Sequence, residues 1–196
     1  MAIEGVIFDL DGVLIDSAAA HLESWQRLAS RHGLSVSDAQ FSLTFGRQNR
    51  DIIPILWGRP LPPGEVASLA DEKEAAYRDI VRGRIEGITM SGAITLIQDC
   101  REAGMKLAIG SSTPPENVEL ALSEMGVAPL FSACVTSRDV TRGKPHPDVF
   151  LLAAERLGIP AAQCAVIEDA PSGIDAALAA GCVAVGLTSH HPREKL

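Results

Sequence analysis

The sequence predicts an α/β protein: a core built on a parallel sheet, with an all-helical insertion after the first strand. The chain opens with a short apolar run at residues 5–8, β-branched at Val6 and Ile7, which is typical of a strand buried on both faces. From about residue 91 onward, apolar strand-like runs alternate with helical segments, as in a parallel sheet that is covered by helices. Residues 17–85 show helical patterns and no convincing strand.

The insertion is predicted over residues 16–85, which leaves residues 1–15 and 86–196 for the core. Trp25 and Trp57 lie at apolar helical positions and are therefore predicted to pack in a core. A helical cap inserted beside the end of a strand can close over a site there and exclude water. The predicted helices of the insertion are 17–31, 51–57 with an interruption at Pro54, and 64–82.

The core elements alternate regularly in the second half of the chain. Prolines at helix starts and glycines at helix ends separate them. Because ligands bind beyond the carboxyl ends of the strands in open parallel sheets, the residues after each strand are the candidate site residues. Strands are predicted at 106–110, 133–136, 164–167 and 182–187, and helices at 92–103, 114–125, 147–157 and 172–180.

Composition and charge exclude several classes of protein. The 196 residues are 46% hydrophobic, which is enough for one full core and a smaller second one. The net charge of −8 argues against nucleic acid and against an anionic membrane surface as partners. No apolar run approaches the ~20 residues that a membrane helix needs. The first residues carry no basic region, so no signal peptide is predicted.

The cysteines indicate a reducing compartment. None of them forms a C-x-x-C pair, and no spacing supports a zinc site. Three lie in apolar strand-like runs, where cysteine behaves as a small hydrophobe. We therefore expect reduced core thiols in a cytoplasmic protein. The four positions are Cys100, Cys134, Cys164 and Cys182.

Two aspartates follow the first strand directly. Asp9 and Asp11 stand one residue apart and precede Gly12. If the extended backbone continues to Asp11, both carboxylates share a side; if the chain turns earlier, Asp11 leans over Asp9. Two neighbouring carboxylates repel unless a cation or a shared proton lies between them, and hard oxygen ligands suit Mg²⁺. The alternative interpretation is an acidic turn that closes the strand.

Polar groups also follow three of the later strands. Residues 111–113 offer hydroxyl and backbone N–H groups to a phosphate oxygen, or they cap the next helix. Lys144 can pair a carboxylate and a phosphate at once, or it is an ordinary solvated lysine. Glu168 and Asp169 can complete a magnesium shell, or Asp169 caps a helix. Together, these four strand ends favour a phosphate and metal site over separate coincidences.

With these motifs the chain resembles the haloacid dehalogenase superfamily of phosphohydrolases. The insertion resembles the helical cap of the β-phosphoglucomutase and phosphoglycolate phosphatase branch. The resemblance implies a Rossmann-like core, and members of this family usually continue with a further short strand and helix beyond the position of Leu196. In the family's order the motifs are Asp9-Leu10-Asp11-Gly12-Val13, then Ser111, then Lys144 in Gly-Lys-Pro-His-Pro-Asp, then Glu168-Asp169.

The resemblance implies a role for each motif residue. Asp9 is expected to be the nucleophile that forms an aspartyl-phosphate, and Asp11 the general acid and then the general base. Ser111 and Lys144 are expected to hold and neutralise the transferring phosphoryl oxygens. The expected cofactor is Mg²⁺. Its implied ligands are Asp9, Asp169 and the backbone carbonyl of Asp11, with Glu168 acting indirectly or through water.

Substrate-binding candidates come from the insertion and from the second motif. His21 matches a histidine near the active-site mouth of similar mutases and phosphatases, or it is exposed on a polar helix face. Lys73 resembles a cap lysine of the mutases, or it forms an ordinary surface pair with helical neighbours. Ser112 is a candidate beside Ser111.

A polar, basic stretch of the insertion adds a further candidate. Arg50 lies in it together with Gly46, Arg47 and Asn49. Such a stretch can meet a substrate phosphate or sugar. The alternative is a solvated loop beside the next helix, and this alternative fits Arg47 better than Arg50.

The sequence therefore predicts a Mg²⁺-dependent phosphatase of a small phosphorylated metabolite, a sugar phosphate or a similar compound. The alternative is a phosphomutase of the β-phosphoglucomutase kind, which passes the phosphoryl group to a sugar. A third hypothesis is a non-catalytic binding protein on the same scaffold. A monomer or a weak homodimer is expected, with no nucleic acid or membrane partner.

Overall fold

The computed structural model describes residues 2–44 and 47–196, so Gly46 lies outside the described residues. The strands are β1 (Gly5–Phe8), β2 (Lys106–Gly110), β3 (Ala133–Val135), β4 (Cys164–Glu168) and β5 (Val183–Gly186). The helices are α1 (Ala18–Arg31), α2 (Asp38–Thr44), α3 (Asn49–Trp57), α4 (Pro63–Val81), α5 (Ile85–Ile88), α6 (Ala93–Glu102), α7 (Pro115–Glu124), α8 (Asp148–Leu157) and α9 (Pro171–Ala179).

The five strands form one parallel sheet in the order β3-β2-β1-β4-β5. The predicted α/β class and the parallel sheet are confirmed. β1 lies at the centre, where Gly5 is opposite Lys106 on one side and Cys164 on the other. All four residues of β1 are buried, as its continuous apolar sequence predicts. The residue that follows β1 therefore lies between the ends of β2 and β4.

Helices cover both faces of the sheet. Val6 and Phe8 belong to one buried cluster and Ile7 to the other, because alternate side chains of a strand point to opposite faces. Phe150 of α8 packs in the cluster of Ile7, and Val118 of α7 packs in the cluster of Phe8. The central strand is thus fixed from both sides, and so is the position of the residue that follows it.

The described residues of the insertion are helical, as predicted, and they form a core of their own. This core joins α1, α3 and α4, and Trp25 lies buried within it. Next to the predicted boundary, the Asp16 N–H donates to the carbonyl of Ile88 and the Met90 N–H to that of Leu14. Both connections to the core thus run side by side, although the boundary itself stays a prediction.

The structure corrects two details of the insertion. Helix α2 was not predicted, although Ser37 and Gln40 form a capping box, with the Gln40 N–H donating to Ser37 Oγ over 3.3 Å. Helix α3 begins at Asn49 and continues through Pro54, so the predicted interruption is wrong. Pro54 is the sixth of the nine residues of α3, so the helix continues although one backbone N–H donor is missing from its interior. In the part of the chain that the structure describes, no helix has the length and apolarity needed to cross a bilayer.

Candidate active site

Asp9 follows the central strand directly and is fixed by its backbone. Its N–H donates to the carbonyl of Ile167 over 3.0 Å, so the Asp9 backbone continues the pairing with β4. The chain then turns at once, because the Gly12 N–H donates to the carbonyl of Ile15 over 2.7 Å. Of the two sequence-based alternatives for Asp11, the early turn is the one observed.

Lys144 reaches Asp9 from the loop before α8. Its Nζ donates to Asp9 Oδ1 over 3.0 Å and to Glu168 Oε1 over 2.6 Å. All three side chains are buried, so the interpretation of Lys144 as a solvated lysine is wrong. Burial raises the pKa of Asp9 well above its usual range, and the opposing effect of Lys144 does not cancel it. Burial lowers the pKa of Lys144, but Asp9 and Glu168 outweigh this and raise it, so the lysine stays charged.

Three carboxylates meet at this end of the sheet. Asp9, Glu168 and Asp169 each place an oxygen within 4.8 Å of the others. Burial also raises the pKa of Asp169, and the neighbouring carboxylate of Glu168 adds to this effect. The donor set fits a hard divalent ion such as Mg²⁺.

Both carboxylate oxygens of Glu168 accept hydrogen bonds from the protein. Oε1 accepts from Lys144, and Oε2 accepts from the Ala170 N–H over 2.8 Å. Asp9 and Asp169 are therefore better suited to direct contact with an ion, and Glu168 to holding the lysine. Asp11 lies outside this carboxylate cluster, since its side chain points toward α1.

Gly173 makes room for Glu168. A Cβ at this position would lie 1.8 Å from Glu168 Oε1. We expect Gly173→Ala to displace the carboxylate, break its pair with Lys144, and destabilise the protein by about 1–3 kcal/mol. The matched control is Gly64→Ala in α4, where an added Cβ meets nothing within 4 Å and where we expect a gain of about 0.5–1 kcal/mol. Urea unfolding of both variants measures this, and equal stabilities would contradict the prediction.

Asp11 is held by the start of the insertion. Ser17 Oγ donates to Asp11 Oδ1 over 2.5 Å, and His21 Nε2 lies 3.2 Å from the same oxygen. Burial opposes ionisation of Asp11, but His21, the Ser17 hydroxyl and Lys73 together lower its pKa. In this arrangement the carboxylate form of Asp11 is favoured.

His21 and Lys73 form a buried chain of polar contacts that leads to Asp11. Lys73 Nζ lies 2.7 Å from His21 Nδ1, and because an ammonium only donates, Nδ1 accepts and Nε2 carries the proton that faces Asp11. The His21 ring stacks on Tyr77 with the ring centroids 4.0 Å apart. Both side chains are buried, so an exposed His21 and a surface pair for Lys73 are wrong.

Glu74 joins the insertion to the core. Its Oε1 accepts from Lys73 over 2.9 Å and from Asn49 over 2.6 Å, and its Oε2 accepts from Asn117 of α7 over 2.5 Å. Arg78 donates to the other end of the Asn117 amide over 2.9 Å. Asn117 of the core is thus hydrogen-bonded to both Glu74 and Arg78, which lie one turn apart on α4.

We expect Glu74 to give the protein an acid-sensitive part of its stability. Burial opposes ionisation, but Lys73, His21 and Asn49 lower the pKa of Glu74 from 4.5 to about 2. A lowered pKa stabilises the folded state above pH 4.5 by on the order of 3 kcal/mol, and this stabilisation is lost as the pH falls toward 2. Glu74→Gln should therefore be markedly less stable than the parent at pH 7, with a difference that shrinks below about pH 4.5.

Urea unfolding at pH 7, 5 and 4 measures this difference. Glu119→Gln, at an exposed position on α7, is the matched control and should follow the parent at each pH. A constant difference between Glu74→Gln and the parent across this range would contradict the role given to Glu74.

These groups line one pocket between the insertion and the carboxyl ends of the strands. Ser111 lies buried there, and its Oγ accepts from the Thr113 N–H over 3.1 Å, so it also caps the turn before α7. Arg47 lines this pocket, whereas Arg50 lines a neighbouring groove and donates to the carbonyl of Thr141. The lining residues include Asp9, Asp11, His21, Trp25, Asn49, Lys73, Glu74, Ser111, Ser112, Lys144, Glu168 and Asp169.

The structure thus brings together every predicted site residue except Arg50, whose role in substrate binding stays a prediction. The sequence analysis missed Glu74 and Asn117, which carry no motif of their own, and also Ser17. It also missed His190, which follows β5 and reaches Asp169 only through the fold. No local pattern in the sequence predicts these contacts.

Comparisons with known proteins give a matching family model and several named relatives. A family model described as haloacid dehalogenase-like hydrolase matches residues 3–181. Hexitol phosphatase A of Escherichia coli strain K12 is 35% identical over 196 residues, which cover 98% of this chain and 88% of that protein. Validoxylamine A 7'-phosphate phosphatase of Streptomyces hygroscopicus subsp. limoneus is 33% identical over 196 residues, which cover 97% of this chain and 88% of that protein.

A solved structure shows the same fold. The β-phosphoglucomutase of Clostridium difficile superposes with a TM-score of 0.86 at 28% identity, over 94% of this chain and 84% of that chain. The chain is thus similar both to named phosphatases and to a named mutase.

Proposed function

Because this chain belongs to the haloacid dehalogenase-like hydrolase family, we propose that it is a phosphatase that acts on a small phosphorylated metabolite through an aspartyl-phosphate. The metabolite is a sugar phosphate or a similar compound. The observation that carries this proposal is the buried Asp9–Lys144–Glu168 arrangement at the floor of the pocket, with Asp11 beside it. A carboxylate nucleophile, a fixed cation and a second carboxyl group are the parts that phosphoryl transfer needs.

In the first step, an Asp9 oxygen attacks phosphorus, and the bond from phosphorus to the substrate oxygen breaks. Asp11 gives its proton to that leaving oxygen. Lys144 and Ser111 stabilise the charge on the phosphoryl oxygens, because both line the pocket together with Asp9. The products of this step are the free alcohol, aspartyl-phosphate at Asp9 and the Asp11 carboxylate.

In the second step, Asp11 removes a proton from water, and the oxygen of that water attacks phosphorus. The phosphorus–Asp9 bond breaks, inorganic phosphate leaves, and Asp11 is protonated again for the next cycle. The carboxylate form that Ser17 and His21 favour is the form that a base needs. For the first step, the negative charge of an entering phosphoryl group raises the pKa of Asp11, because a like charge disfavours the ionised form.

A divalent ion, Mg²⁺ in this proposal, fits beside Asp9. Asp9 and Asp169 would hold it, together with the backbone carbonyl of Asp11, while Glu168 holds Lys144 in place. When bound, such an ion supplies positive charge to the phosphoryl oxygens and offsets the repulsion between the carboxylates.

A phosphomutase of the β-phosphoglucomutase kind is the second candidate. It is favoured by His21 and Lys73, which line the same pocket as Asp11, and by the similarity to a β-phosphoglucomutase structure. Both candidates share the first step and differ in the acceptor, which is water in one and a sugar hydroxyl in the other.

Product analysis separates the two candidates. We expect the protein with Mg²⁺ to release inorganic phosphate from members of a sugar phosphate and polyol phosphate panel. Incubation with β-glucose 1-phosphate should give glucose and phosphate if that sugar is accepted; glucose 6-phosphate would instead indicate the mutase. An absence of turnover over the whole panel would contradict both and favour the non-catalytic hypothesis. The cytoplasmic location and the monomeric or weakly dimeric state stay predictions of the sequence.

A further inference from the structure

The segment after β5 folds back onto the carboxylate cluster. His190 Nδ1 lies 2.8 Å from Asp169 Oδ2, and Ser189 Oγ lies 3.3 Å from the same oxygen. Ser189 Oγ also donates to the carbonyl of Gly12 over 2.7 Å. Two side chains from the end of the chain thus contact the turn and the acid that border the pocket.

Gly12 permits this approach. Its φ is +79°, and a Cβ at this position would lie 2.0 Å from Asp169 Oδ2 and 2.8 Å from His190 Nδ1. A side chain here would therefore separate Asp169 from His190, and it would also be strained by the left-handed backbone. The glycine after the two aspartates serves the Asp169–His190 contact as well as the turn.

The contacts with His190 and Ser189 distinguish the two carboxylate oxygens of Asp169. The contacts of His190 and Ser189 both go to Oδ2, so in the proposed ion site Oδ1 would be the oxygen that binds the ion. Carboxylates that bind metal ions are commonly held in this way by hydrogen bonds to the oxygen that does not bind. A carboxylate with one oxygen held loses its freedom to rotate.

The second nitrogen of the same ring reaches the insertion. His190 Nε2 lies 3.2 Å from Asp16 Oδ1, and Asp16 is the residue whose N–H pairs with Ile88 across the two connections. The imidazole therefore lies between an acid of the cluster and the first connection to the helices.

We propose that His190 is a positioning residue: through Oδ2 it holds the Asp169 carboxylate in the orientation that binds a divalent cation, and it links that carboxylate to Asp16. This inference rests on the part of the proposed function that makes Asp169 an ion ligand. It assigns a function to a residue outside the four motifs, on a segment with no catalytic group of its own.

The alternative is that His190 only anchors the segment after β5 to the core. Removal of an anchor lowers the melting temperature and leaves ion affinity unchanged. Removal of a positioning residue weakens ion binding, and a replacement that keeps the donor to Asp169 restores it.

The test uses two substitutions of one residue. His190→Ala removes the contacts to Asp169 and Asp16, whereas His190→Asn keeps an N–H donor near the place of Nδ1 and loses the contact to Asp16. With Mg²⁺ titrated by calorimetry in the absence of substrate, we expect the dissociation constant to rise about 10–100-fold in His190→Ala and to stay near that of the parent in His190→Asn. His191→Ala, one residue further along, is the matched control and should bind like the parent.

Two results would overturn the inference. One is parental Mg²⁺ affinity in His190→Ala, and the other is equal weakening in His190→Ala and His190→Asn. Asp169→Asn separates this inference from the proposed function. If Asp169→Asn binds Mg²⁺ weakly and His190→Ala binds it normally, only the role of His190 is wrong. If both bind it normally, the proposed ion site is wrong as well.

Discussion

Replacing Asp9 by Asn is expected to lower phosphate release by on the order of 10⁴-fold or more, because no other group can take over as the nucleophile. Asp9 lies directly after the central strand, and its backbone N–H donates to the carbonyl of Ile167 in β4, so a fixed backbone presents this side chain to the pocket. Burial already disfavours its charged form, so a neutral amide of the same shape should fit without loss of the fold.

Two measurements check this prediction. The rate of phosphate release gives the loss in turnover, and acid quenching with substrate labelled in the phosphoryl group gives the covalent intermediate. We expect label on the parent protein and none on Asp9→Asn, while the melting temperature stays near that of the parent. If the variant still released phosphate at the parental rate, Asp9 would not be the nucleophile.

Asp11→Asn is expected to lower turnover of alkyl phosphates by about 10²–10⁴-fold, because it removes both the acid of the first step and the base of the second. The two steps respond differently to the leaving group. p-Nitrophenolate departs without a proton, so the first step should proceed with p-nitrophenyl phosphate, while the aspartyl-phosphate at Asp9 waits for a base. The variant should then release one equivalent of nitrophenolate rapidly and turn over slowly afterwards.

Rapid-mixing absorbance measurements detect this burst. Asp79→Asn, at an exposed position on α4, is the control and should show parental turnover. Equal losses on alkyl and nitrophenyl substrates, without a burst, would show that Asp11 acts in some way other than proton transfer.

The residues at the strand ends could be predicted because each of them follows an apolar run that is typical of a buried strand. Asp9, Ser111 and Glu168 come directly after apolar runs, and parallel strands bring such positions to one edge of the sheet. Lys144 lies in a loop with no secondary-structure signal, and it entered the prediction through the motif around it. The class of fold and three of the four motif positions thus follow from local patterns and the rules of sheet topology, whereas Lys144 depends on its motif.

The cap side of the pocket could not be predicted in the same way. Lys73 and Glu74 stand in the run Asp-Glu-Lys-Glu, which has the composition of a solvated helix face. Only the packing of α4 against α1 and the approach of Asn117 turn this run into a buried ion pair. His190 is a similar case, since its partners Asp16 and Asp169 are far from it in the chain.

The central place of β1 has a consequence for synthesis on the ribosome. The strand that precedes Asp9 leaves the tunnel before both of its neighbours, since β2 starts at Lys106 and β4 at Cys164. In the meantime α1–α4 emerge and can bury apolar side chains around Trp25. A nascent chain that has not reached β4 therefore carries an incompletely paired apolar strand, which is the kind of exposed surface that chaperones shield.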